Sequence, residues 1–299
     1  MALFKKKTTL VHHITYMGIM AAINLIFIVL ATYVPPLMFL LILLLPFAST
    51  VVSYYCLKRY YIIYAVATIG LCLLVSFNIN DTVFYVVPAV ISGFVIGVLL
   101  EKNVHPFWLV LSSTIINAAL TYAFIPLINL ISNTDIVLSL LTIFKLEDFK
   151  YKTELVYLAV FFVSLMQCVL SLFVLVSDAK KIGIEINTRV SYFGFYILGL
   201  EIAVALAVSF AFFYLPLALI FICISFYFAA FLLLDLILCK KLLIYLVLAG
   251  AIFVAILVFA IFYKSLIQPY GIVLTVLFPL AIGLVSFLKN CLLKYASNI

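Results

Sequence analysis

Apolar residues run through this chain in blocks of about 20, the length an α-helix needs to cross roughly 30 Å of hydrocarbon. Short polar or charged segments divide the blocks, which predict spanning helices at 14–33, 37–57, 60–78, 82–100, 107–131, 155–177, 191–214, 217–238, 242–263 and 269–288. Strand-period alternation is absent, which removes a closed β-barrel from consideration. The predicted fold class is all-α: a polytopic transmembrane helix bundle of about 10 spans. Eight would remain if Pro35 and Pro36 turned the first pair into a shallow hairpin, or if another pair were re-entrant.

Two loops are long. Residues 132–154, "SNTDIVLSLLTIFKLEDFKYKTE", have a semi-apolar and a charged half, suited to an interfacial helix or to a flap over an outward cavity. Residues 178–190, "DAKKIGIEINTRV", separate six predicted spans from four, so the chain divides into a membrane core at 1–177 and a C-terminal membrane region at 178–299. No internal repeat is visible: Pro46, Pro88 and Pro126 have no matching positions among Pro216, Pro269 and Pro279.

Composition agrees with the pattern. The chain is 69% hydrophobic and 9% charged, whereas about a quarter of a soluble domain is charged. Lys5, Lys6 and Lys7 precede the first apolar block as in a signal peptide. That block is too long for one, and no small-residue cleavage site follows it, so an uncleaved span is expected. The net charge of +7 does not gather into a face that would suit nucleic acid. With the N-terminus inside, thirteen of the 17 Lys and Arg residues fall on the cytoplasmic side and four outside. This asymmetry predicts a multi-pass protein of the cell membrane with both termini cytoplasmic. Six scattered cysteines, with no C-x-x-C pair, read as buried thiols.

Small residues four apart mark close helix contacts in lipid. Ala89, Gly93 and Gly97 form such a ridge in "PAVISGFVIG", Gly199, Ala203 and Ala207 another, and Gly18 and Ala22 a third, with Ala21 beside it. Each suits packing inside the bundle or docking of a partner. Asn24 lies about a third of a turn from the Gly18–Ala22 ridge and requires a polar neighbour, either a group on another helix or a bound ligand. Ser113, Asn117 and Thr121 make a polar stripe on one face of the fifth span, suited to a ligand cavity or to interhelical hydrogen bonds. Asn78, Asn80, Asp81, Asn133 and Asp135 would surround the mouth of such a cavity, or serve as ordinary loop residues. Glu201 is the acid deepest within a span, where a carboxylate needs a partner or a proton. Proton transport, a cationic substrate, or a protonated pair with an amide such as Gln167 would each account for it. Its neighbours Gly194, Leu198 and Ala205 suggest a packed face, while Asp235 lies nearer the inner end beside Lys240 and Lys241.

An enzyme is not expected. His12, His13 and His105 lie outside the predicted spans, no H-E-x-x-H or Walker A pattern occurs, and no metal or cofactor is implied.

The stretches "ITYMGIMAAINLIFIVLATYVP" and "LLPFASTVVSYYCLKR" resemble the S components of energy-coupling-factor (ECF) transporters. They also resemble the YybS-like family of bacterial membrane proteins, whose proline–glycine span is similar to "VVPAVISGFVIGVLLEKN". The resemblance covers roughly 1–177 and implies a six-helix S-component-like core with four added helices. It also implies a function: binding and uptake of a small molecule or lipid through a site opening outward. Gly18 and Ala22 match the small-x-x-x-small pattern with which such a first helix meets a membrane coupling subunit driven by cytoplasmic ATPases. An ion-coupled carrier of five plus five helices and a non-transporting scaffold are the alternatives.

Overall fold

The computed structural model describes residues 9–34, 38–75, 80, 82–132, 135, 137–138, 142, 152–177, 192–237 and 276–297. Helix α1, Leu10–Tyr33, starts at Thr9, whose side chain accepts from the His12 N–H at 3.4 Å. It stops at Val34, which leaves helical geometry directly before Pro35, because proline crowds the α conformation of the residue preceding it. Helix α2 is Met38–Tyr55 and α3 is Lys58–Val75. A π-helical turn, Thr82–Val86, leads into α4, Val87–Glu101. The widened turn accompanies Pro88, which cannot donate a helical hydrogen bond.

Helix α4 ends in a Schellman arrangement. Asn103 takes the left-handed conformation (φ 53°), its N–H reaches the Leu100 carbonyl, and the Val104 N–H reaches that of Leu99, both at 3.0 Å. Pro106 then opens α5, Pro106–Ser132, where its missing donor costs nothing. The His105 Nδ1 caps that start by accepting from the Phe107 N–H at 3.2 Å. Helix α6 is Lys152–Ser177, α7 Phe193–Ala211, α8 Leu215–Ile237 and α9 Leu277–Ser297.

All ten of these elements, nine α-helices and one π-helical turn, are helical, and no strand occurs among the described residues. Among the described residues seven helices are long and apolar enough to cross a membrane, while the apolar stretches of α2 and α9 are shorter. The chain is thus a polytopic helical membrane protein. The predicted span at 242–263, the first part of that at 269–288 and most of the loop 132–154 lie outside the described residues. Helix α9 ends about nine residues beyond the predicted final span.

Two compact units form, Met1–Arg189 and Val190–Ile299, the division falling at the far end of the loop 178–190. In the first, α2 packs against α1, α3, α4 and α6, and α5 closes the group against α4 and α6. An ion pair of 2.9 Å between Lys58 Nζ and Glu101 Oε2 joins the start of α3 to the end of α4. In the second unit α7 and α8 form a hairpin with α9 against both. Rings line the hairpin: Phe195 with Phe228, Tyr196 with Phe231, and Phe210 stacked on Phe221. Gly199 permits this approach, since a Cβ there would meet the Phe228 ring at 2.5 Å.

Candidate functional site

Helix α1 has two unlike faces. Met17, Met20, Ala21, Asn24 and Ile28 are buried, whereas Gly18, Ala22 and Ile26 are exposed. Gly18 meets so little that a Cβ there would have nothing within 4 Å. The expected trio of Gly18, Ala21 and Ala22 is therefore divided, with Ala21 turned into the bundle. Helical geometry dictates this once Asn24 points inward, because residues two apart lie about 200° around the axis. Ala22 must face out, nearly opposite Asn24 rather than a third of a turn from it.

The inward face is held by a polar triangle. Asn24 Nδ2 donates to Tyr64 Oη at 3.0 Å and to Ser49 Oγ at 3.3 Å, and these two hydroxyls lie 3.1 Å apart. One amide thus ties α1 to α2 and α3. Asn24 Oδ1 is buried without a hydrogen-bond partner among the described residues. Serine and tyrosine close the triangle because each brings one hydroxyl and little other polarity into hydrocarbon.

The Ala89–Gly93–Gly97 ridge faces α2. A Cβ on Gly93 would fall 2.5 Å from Ser49 Cβ and 2.7 Å from the Pro46 carbonyl oxygen. One on Gly97 would fall 2.5 Å from Ser53 Cβ and 2.8 Å from the Thr50 carbonyl oxygen. Two hydroxyls fasten the seam to α4 carbonyls: Ser53 Oγ donates to Phe94 at 3.0 Å and Tyr61 Oη to Val90 at 2.6 Å.

The stripe on α5 is buried, and most of its hydrogen bonds are made inside the bundle. Ser113 donates to the Leu109 carbonyl at 2.6 Å and Thr121 to that of Asn117 at 2.9 Å, both within their own helix. Asn117 Nδ2 donates to Gln167 Oε1 at 2.7 Å, and Gln167 Nε2 donates to the Ile42 carbonyl at 3.2 Å. Ile42 is four residues before Pro46, so its carbonyl is the one that proline deprives of a helical partner. The relay therefore repairs α2 from α5 and α6. Gln167 uses both ends of its amide in this relay.

Glu201 sits mid-way along α7, in the second unit. The face expected to be packed is exposed: Glu201, Leu198 and Ala205 all point away from the side of α7 that is buried by Leu200, Ala203 and Ala207. The aromatic hairpin and Gly199 draw α8 to that other side. A groove of about 340 Å³ opens between α7 and α9, with Glu201 the polar residue in a lining that includes Ile197, Leu200, Ala281, Leu284 and Phe287. Gly283 brings α9 close, since a Cβ there would meet Leu200 Cδ2 at 2.5 Å.

Of the rim residues, Asp135 Oδ1 accepts from the Leu138 N–H at 3.2 Å, whereas Asn78, Asp81 and Asn133 lie outside the described residues, as does the side chain of Asp235. Four thiols, Cys56, Cys72, Cys168 and Cys223, are buried and reduced. The sequence reading missed Ser49, Tyr64 and the Ile42 carbonyl. Pro46 inside an apolar block was the available signal for the last of these, because a proline in a helix interior leaves the carbonyl four residues earlier to be satisfied. Comparison with family models, curated proteins and solved structures returns no match.

Proposed function

We propose that this membrane protein is the ligand-binding component of an uptake system, docked through the outer face of α1 onto a membrane coupling subunit driven by cytoplasmic ATPases. The observation that carries the reading is the asymmetry of α1. Its inner face is tied to α2 and α3 through Asn24, while Gly18 and Ala22 stand exposed with room for another backbone. Helices in lipid gain little from apolar burial and associate through close van der Waals approach, so this is the face on which a partner helix would sit. The S-component resemblance supplies the kind of partner, and the excess of Lys and Arg in alternate loops supports cytoplasmic termini, on the side where ATPases would act.

Purification in mild detergent tests this. An ATPase-coupled membrane partner should accompany the wild type and be lost on Gly18→Leu. Its absence from the wild type would overturn the proposal.

Glu201 favours a second reading, an ion-coupled carrier, because its carboxylate lies mid-span on an open groove. In that case Glu201→Gln abolishes proton-dependent uptake while ATP depletion leaves it intact.

A further inference from the structure

We infer that the groove between α7 and α9 binds a lipophilic monocation, its charge on Glu201 and its apolar body along Ile197, Leu200, Leu284 and Phe287. Three observations converge on that chemistry. First, no described residue pairs with or donates to Glu201, although it stands eight residues from the start of α7 and ten from its end. At 1.5 Å per residue this is about 12 and 15 Å from either end, where an uncompensated carboxylate is costly. Second, the rest of the lining is hydrocarbon. Calcium or magnesium needs a shell of several oxygen ligands, and one carboxylate among leucines does not provide it. A cation that carries its own apolar surface loses little hydration and suits both parts of the groove. Third, the depth selects the source. Lipid headgroups lie at the interface, so a bilayer lipid does not bring its amine to mid-span, whereas a separate molecule of compact shape fits about 340 Å³.

The inference deepens the uptake reading by naming a ligand class, and it rests on that reading only for the direction and purpose of binding. Binding itself is tested without a partner. The full chain in nanodiscs is dialysed against labelled tetraphenylphosphonium, with empty nanodiscs as the blank for partitioning into lipid. Saturable binding is expected, weakened at least tenfold by Glu201→Gln and largely kept by Glu201→Asp. Leu284→Trp fills the groove from an exposed position without altering the charge, and should reduce binding as strongly. Uncharged triphenylphosphine oxide should not displace the probe. Uptake equal to that of empty nanodiscs, or equal binding by wild type and Glu201→Gln, overturns the inference. Saturable binding with no co-purifying partner would instead sink the uptake reading and leave the groove intact.

Discussion

Pro46 removes one backbone donor from α2, and Gln167 on α6 supplies the replacement. Gln167→Leu should therefore cost about 1–3 kcal/mol, the range for leaving a buried polar group unsatisfied, as read from unfolding in mild detergent. Pro46→Ala in the same background should recover part of that loss, because an N–H is restored to the Ile42 carbonyl. No recovery would mean the carbonyl is not the group that Gln167 serves. Asn24 makes a parallel case. A double-mutant cycle of Asn24→Ala with Tyr64→Phe should give a coupling of about 0.6–1.7 kcal/mol, as for interhelical hydrogen bonds in other membrane proteins. A coupling near zero would dismiss the triangle as a tie. The polar character of these positions was legible in the sequence, since an amide inside hydrocarbon requires a neighbour. The neighbours were not legible: Ser49 and Tyr64 lie 25 and 40 residues from Asn24, and apolar spacing carries no information on which helices touch.

Ridges of small residues look alike in the sequence and separate only when helices are placed. On α4, Gly93 and Gly97 are pressed against the α2 backbone; on α1, Gly18 faces outward with nothing near it. Gly97→Leu should then cost about 1–3 kcal/mol or more through overpacking, and Gly18→Leu should stay within about 0.5 kcal/mol. Thermal unfolding of the two variants side by side checks this, and equal losses would contradict the assignment of faces. The same contrast explains α7. Gly199 meets Phe228 of α8, and Ala203 and Ala207 are buried, so Glu201, two positions after Gly199, is carried away from that side and onto the groove. Periodicity fixed which residues share a face, but not which face a neighbour covers.

At the scale of the whole molecule, the helical class and the order of helices followed from block length alone, because the bilayer sets that length. The end of the last helix did not: α9 runs on to Ser297, past Lys289 and Lys294, beyond the apolar stretch that closes at Asn290. The pairing of Lys58 with Glu101 puts the α2–α3 turn and the end of α4 on one side, the one proposed to be cytoplasmic. Cysteines introduced at Leu57 and Lys102 should both react with an impermeant thiol reagent in inside-out vesicles and neither in right-side-out ones; the opposite pattern would invert the topology. The account turns on α1, gripped from one side and open on the other. Native mass spectrometry of the complex released from mild detergent tests it most directly. The expected spectrum shows the chain bound to an ATPase-coupled membrane partner, with Gly18→Leu yielding the folded chain alone, whereas a wild-type spectrum of the isolated chain would contradict it.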